Sequence, residues 1–191
     1  SGKHSYPVVL DSANQQFTFP FKGKLANVLL DEEQILLAKV YEEKPTAQYI
    51  HQLNNADKFR AKSTALKHIA KSTDPEKTTI LVNALNANFW GIRSEALGYL
   101  KDIDDAAKQP SYKTSHKKII ESDQKAKVRN AAVSALSTLE NNEAIAIIRK
   151  VLKQDSSLMV LGNALNELKE IDTVQALTLA RELSSSVEIE L

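Results

Sequence analysis

Cysteine is absent from the chain. That excludes disulfide staples, thiolate nucleophiles and thiolate metal sites, and it leaves the compartment open. Glycine is nearly as scarce. Gly2, Gly23, Gly91, Gly98 and Gly162 stand far apart, so no glycine-rich loop exists to cradle a phosphate or a dinucleotide. No apolar run approaches the roughly 18 residues that a membrane span needs. Neither sign of charge prevails, with 25 Lys and Arg against 24 Asp and Glu, which argues against a surface dedicated to a polyanion. A soluble protein is the expectation. Histidine is sparse too: His4, His51, His68 and His116 are remote from one another, and no His-Glu-x-x-His pair occurs. Asp102-Ile-Asp104-Asp105 lacks the alternating oxygen ligands and the glycine of a calcium loop. No serine sits in a nucleophile elbow. No catalytic residue, metal ligand or cofactor is expected in this chain.

What the chain does contain is one helix, written several times. The stretch 125–139 carries Val128, Ala131, Ala132, Ala135, Leu136 and Leu139 at a 3.6-residue period. It reads as a single amphipathic helix whose small residues admit a close neighbour. Its core, Arg129-x-x-Ala132-x-x-Ala135-Leu136, recurs as Arg93-x-x-Ala96-x-x-Tyr99-Leu100 and as Lys62-x-x-Ala65-x-x-His68-Ile69. Leu161-x-x-Ala164-x-x-Glu167-Leu168 keeps the spacing and loses the basic residue. Successive copies lie 31, 36 and 32 residues apart. With a second helix following each copy, this is the period of an α-solenoid of stacked helical hairpins; an irregular helical bundle is the alternative. The long spacing places extra residues in 101–118, as a loop around Gln109-Pro110-Ser111. Ser184-Ser185-Ser186 reads as the end of the last helix, with a frayed tail after it.

Residues 1–44 lie outside the repeat. Residues 6–10, 16–19 and 25–30 have strand character, and Phe17, Phe19 and Phe21 share one face. Residues 35–41 suit a fourth strand or a short helix. Two or three short strands do not make a stable sheet alone, so this segment is expected to be the remnant of a β-sandwich domain. The expected division is 1–44 β-structure and 45–191 about four helical hairpins: a mainly α, HEAT- or armadillo-like superhelix with a short N-terminal β segment. The start at Ser-Gly, without methionine, suggests a piece of a longer protein.

Several residues are candidates for binding. Phe89-Trp90 falls at the corner between helices, where it either packs between repeats or forms an exposed platform. Lys113, Lys117 and Lys118 belong to a lysine-rich stretch that continues through Lys125, Lys127 and Arg129. Glu121, Asp123 and the absence of interleaved aromatics make nucleic acid an unexpected partner for it. Arg93 and Arg129 sit where a basic residue pairs with an acid of the adjacent unit, with Asp123, Glu95 and Asp102 as candidates. His68 occupies the inner-face position of Tyr99 and Ala135 and is expected to be packed or hydrogen-bonded there. His116, among lysines, is expected to be solvated.

Two stretches carry a resemblance. Residues 57–69 and their later copies resemble HEAT-like repeats of an armadillo-type solenoid. Phe19-Pro-Phe-Lys-Gly-Lys-Leu-Ala-Asn-Val-Leu-Leu-Asp31, then Leu36-Leu37 and Tyr49-Ile50-His51-Gln52-Leu53, resembles the end of the small β-domain of M1-family zinc aminopeptidases and the start of the helical domain that follows it. The resemblance implies a parent with a zinc-dependent catalytic domain upstream, which would be this chain's partner along with the parent's peptide substrates. That family's Gly-x-Met-Glu-Asn and His-Glu-x-x-His motifs are absent here, so no zinc or catalytic residue transfers. The implied role is a non-catalytic cap on the active-site cleft that limits peptide access, with Arg60, Arg93 and Arg129 as the basic residues available to face it. A free-standing HEAT-like scaffold for a protein partner is the other reading, with Phe89-Trp90 or the lysines as its hot spots.

Overall fold

The computed structural model describes residues 2–32 and 35–187. Four helical hairpins follow one another: α1 (Thr46–Asn55) with α2 (Phe59–Lys71), α3 (Lys77–Ala84) with α4 (Trp90–Leu100), α5 (Pro110–Ser122) with α6 (Ala126–Ser134), and α7 (Asn141–Gln154) with α8 (Leu158–Ile171). A last helix, α9 (Thr173–Val187), packs on α8. The repeated motif lies on α2, α4, α6 and α8, the second helix of each hairpin and not the first. Short links close three of the four hairpins. Residues 56–58, 123–125 and 155–157 fold the chain straight back ahead of a repeat helix, whereas the links after α4 and α6 are longer.

The register of the repeat is the register of the core. Ala65, Ala96, Ala132 and Ala164 are wholly buried, as are Ile69, Leu100, Leu136 and Leu168 four residues on. Ala61, Ile92, Val128 and Val160, four residues before the alanines, are buried as well. The alanines let α2, α4, α6 and α8 approach one another in sequence, and the larger residues supply the apolar area. α1, α3, α5 and α7 contact their own partners closely and one another sparingly. A row of tightly packed helices backed by a splayed row curves toward the tight side, which makes the row of repeat helices the concave layer of an α-solenoid.

The stretch 125–139 does not form one helix. α6 ends at Ser134, and a 3-10 turn over Leu136–Thr138 follows. The cause is His116, which is buried and not solvated. Its Nε2 lies 2.6 Å from the carbonyl of Ala132. A carbonyl only accepts, so Nε2 carries the proton and donates. That oxygen also accepts the Ala135 amide at 3.1 Å, and the α-helical pattern stops there. The long period is filled by a 3-10 turn over Ala106–Lys108, after which Pro110 opens α5 at its first position, where its missing N–H costs nothing. The extra residues thus lie ahead of Pro110, in the link 101–109, and Pro110 and Ser111 already belong to α5. The serines at 184–186 lie inside α9; the Ser184 hydroxyl donates to the Arg181 carbonyl and so does not compete for the backbone. Of the tail expected over 187–191, Val187 is the last residue of α9 and 188–191 lie outside the described residues.

Among the described residues of the N-terminal arm no strand is formed. The segments 6–10, 16–19 and 25–30, expected as strands, have no ladder partner, and 35–41 is neither strand nor helix. Three short segments without a sheet to join leave their backbone groups to water. Local contacts replace the sheet: Tyr6 stacks on Phe19 at 4.7 Å and donates to the Pro20 carbonyl at 2.7 Å. Phe17, Phe19 and Phe21 remain exposed, as do Leu36 and Leu37. The arm meets α1 around Glu42 and Lys44, where the Tyr49 hydroxyl donates to the Glu42 carbonyl at 2.8 Å. Lys44, with its side chain 7% exposed, donates to the Val28 carbonyl at 2.8 Å and to Gln52 Oε1 at 2.6 Å, and pairs with Glu42 at 3.0 Å. Glu42 in turn accepts the Leu30 amide at 3.1 Å. Asp31, at φ 48°, accepts the amides of Ile35 and Leu36 on its carboxylate.

Burial pushes the His116 imidazole below its ordinary 6.5, against the opposing pull of the Ala132 carbonyl and Glu143. The unfolded chain then takes up a proton that the folded chain refuses. Stability is fully present above pH 6.5 and falls as pH drops through that value, by up to about 1.4 kcal/mol per unit. His68 is pushed down as well, by burial and then by Lys67, so the test is a difference. Urea unfolding of the wild type and of His116→Gln between pH 7.5 and about 5 should show a clearly flatter dependence in the variant. Identical slopes would remove His116 as the source.

Candidate interaction surface

The basic residues of the repeat build a ladder inside the solenoid. Arg93 on α4 grips Asp123 in the loop ahead of α6 with two hydrogen bonds, at 2.7 and 2.9 Å, and its Nη1 donates to the carbonyls of Ala87 and Asn88. Arg129 on α6 repeats the grip on Asp155 ahead of α8, at 2.6 and 2.8 Å, with Nη1 on the Asp123 carbonyl. Each arginine thus pins the carbonyl six residues before it and the acid of the next repeat. The acids also accept an amide two residues on, from Lys125 and Ser157. Burial pushes the Asp123 carboxyl up, but Arg93, the Lys125 amide and Arg129 together hold it below its ordinary range. Arg129 itself holds Asp155 down, against the effect of burial, and is raised by it in return. Lys62 on α2 donates instead to the Leu53 carbonyl. Leu161 carries no charge, so the ladder ends at α8. Of the two acids, Asp155 was missed in the sequence. It stands six residues before Leu161, as Asp123 stands six before Arg129, and that register was the available signal.

Phe89 and Trp90 sit at the start of α4 and belong to a larger cluster. Phe89 is 45% exposed and Phe59, at the start of α2, is 38% exposed; Trp90 is half-buried. The Phe59 and Phe89 rings lie 4.9 Å apart and tilted, and Trp90 lies 5.6 Å from Phe89. Lys127, from the first turn of α6, rests its ammonium 5.5 Å from the Trp90 ring centre. Gly91 makes the arrangement possible: a Cβ there would come within 2.7 Å of Phe89 and 2.8 Å of Phe59. Phe59 was legible, since it stands three residues before Lys62 as Trp90 stands before Arg93.

The remaining candidates lie elsewhere. Arg60 is exposed in the first turn of α2. Lys113, Lys117 and Lys118 lie on the outward side of α5; Lys113 pairs with Glu143 at 3.2 Å. Lys117 lines a groove of about 530 Å³ between α5 and α7, with Ile120, Ile147, Lys150 and the ladder residues Arg129 and Asp155. Lys150 is paired there with Glu121 at 2.7 Å. Lys117 and Arg129 thus share this groove, and Phe89 and Trp90 are not among the residues that line it. His68, expected on the inner face, is exposed and stacks on Tyr49 of α1 at 4.2 Å. Among the described residues no three of His, Asp and Glu are grouped so as to hold a metal ion. No helix among them is long and apolar enough to cross a membrane.

No curated protein matches the chain. Residues 116–188 match the HEAT repeat family. That match covers the last repeats, and α2 and α4 carry the same buried register upstream of it, so the helices from Thr46 onward are a HEAT-like α-solenoid, a helical scaffold.

Proposed function

We propose that this scaffold is the non-catalytic C-terminal part of an M1-like zinc aminopeptidase, where it closes one side of the active-site cleft and restricts which peptides enter. The observation that carries the reading is the arm. Phe17, Phe19, Phe21, Leu36 and Leu37 are exposed on segments of strand-like sequence with no sheet to join. A β-domain of the same protein would take them, as the resemblance of 19–31 and 49–53 to that family's junction implies. Zinc, the activated water and the glutamate base would all lie upstream. Arg60, at an exposed position in the first turn of α2, is the basic residue proposed to face the cleft. The test is made on the natural full-length protein beside residues 1–191: zinc content by mass spectrometry, then hydrolysis of aminoacyl anilides. Stoichiometric zinc and hydrolysis in the parent, with neither in the segment, is the expected result. A parent without metal or hydrolysis would overturn it.

A second reading is a free-standing scaffold that binds a protein partner without any catalytic domain. The exposure of Phe59 and Phe89 favours it.

A further inference from the structure

The stack ends on an apolar face. Leu158, Leu161, Gly162 and Leu165 occupy in α8 the positions that Ala126, Arg129, Asn130 and Val133 occupy in α6. That is the side by which α6 receives the next repeat. There Arg129 grips Asp155, the Asn130 carbonyl accepts the side-chain amide of Asn163 at 3.1 Å, and Val133 is wholly buried, as is its counterpart Leu97 in α4. On α8 the same side lies open: Leu158 is 80% exposed and Leu165 is only half-buried. Val174 and Leu177 extend it on α9, exposed and turned away from Gln175, which meets Arg149 of α7. The last repeat of a solenoid ordinarily turns a polar side to water. A run of leucines in that place marks a contact surface.

The face differs from the interior junctions in a way that selects its occupant. Each of the junctions α4–α6 and α6–α8 is locked by an arginine on an acid of the next repeat. Leu161 stands where that arginine would be, so another repeat of this pattern would bring its acid against a leucine. What suits the face is apolar, and the face suits itself. Turn two α8 helices antiparallel about a two-fold between Leu161 and Gly162, and Leu158 of each copy meets Leu165 of the other. Leu161 then meets its own counterpart, and the two Gly162 backbones lie together with no side chain between them. A Cβ at Gly162 would meet nothing within 4 Å of its own chain, so the isolated chain has no steric need of a glycine in this helix. A helix packed against it does. Charge agrees with the antiparallel sense: Lys169, at the end of the same side, falls at opposite ends of such a pair, whereas parallel helices would set the two lysines together. We propose that the α8 face, with Val174 and Leu177 beside it, joins two copies of this chain end to end as an antiparallel two-fold dimer. The inference is independent of the peptidase reading, which stands or falls on the parent's zinc and hydrolysis.

The test is sedimentation equilibrium of the 191-residue chain from about 5 to 500 μM, where mass action should carry the average mass from monomer toward dimer. Leu158→Glu, at an exposed position, should raise the Kd about tenfold or more and leave the far-UV circular dichroism of the dilute chain unchanged. Gly162→Gln should also weaken the dimer by holding the two helices apart. It replaces a poor helix former in open space, so lost association there is not lost folding. The chain has no cysteine, so Leu161→Cys and Lys169→Cys each introduce a single thiol. Mild oxidation should link the Leu161→Cys variant into a covalent dimer and leave the Lys169→Cys variant unlinked. A chain that stays monomeric throughout, a Leu158→Glu variant that associates like the wild type, or faster linkage through Lys169→Cys would each overturn the proposal.

Discussion

Truncating Leu136 to alanine is expected to lower the unfolding free energy by about 3–4 kcal/mol, from lost transfer energy and the cavity left behind. Leu136 is wholly buried in the 3-10 turn after α6, a turn that packs against α7. Its counterparts Leu100 and Leu168 are buried to the same degree. The costs should nonetheless differ. In a solenoid each repeat is stabilised by its neighbours on both sides, and Leu168 sits in the final repeat helix with only α9 beyond it. Leu168→Ala should therefore unfold the end of the stack first, seen by far-UV circular dichroism before Trp90 emission responds. Leu136→Ala should move both signals. The measurement is urea unfolding followed by both probes, and a loss below about 1 kcal/mol for Leu136→Ala would contradict the packing described.

The second large effect lies in the ladder. Arg129→Ala removes both hydrogen bonds to Asp155 and the one to the Asp123 carbonyl, and it leaves a carboxylate whose side chain is only 6% exposed without its cation. A fully buried broken pair costs about 3–5 kcal/mol, and solvent access to the arginine, 16% exposed, reduces that to about 2–3 here. Removing Asp155 as well should recover part of the loss, which a double-mutant cycle reads directly. The acid limb of stability follows from the same contact. The Asp155 carboxyl is held below its ordinary 3.8. Its contribution is therefore present above that value and is lost as pH falls through the folded pKa, and Arg129→Ala should flatten the dependence there. An Arg129→Ala variant as stable as the wild type at pH 7 would reduce the ladder to surface decoration.

The two halves of the chain were legible to different degrees. The alanines at 65, 96, 132 and 164, and the apolar residues four positions to either side, were readable because burial on a helix repeats every 3.6 residues and a solenoid repeats the helix. Asp123 as an acid for Arg93 could be named, but only among three candidates, since the choice depends on how far α4 and the following loop stand apart. His116 was misread as solvated among lysines. Its neighbours in sequence are charged, but helical geometry turns Tyr112, His116, Ile119 and Ile120 to the inside while Lys113, Lys117 and Lys118 face out.

The sequence by itself determined the helical class, the register of the buried face, and the absence of thiol, glycine-loop and histidine-pair chemistry. These depend on composition and on spacing along a single helix, which no distant contact alters. Tertiary structure alone decided which loops close the hairpins, where α6 stops, which acids the arginines grip, and which aromatics stay open to solvent. Each of those turns on a contact between residues 16 to 30 positions apart, such as His116 with Ala132 or Arg93 with Asp123. The strand-like arm marks the same boundary from the other side. Alternating residues dictate which face a strand would bury, but a strand exists only where a second one pairs with it.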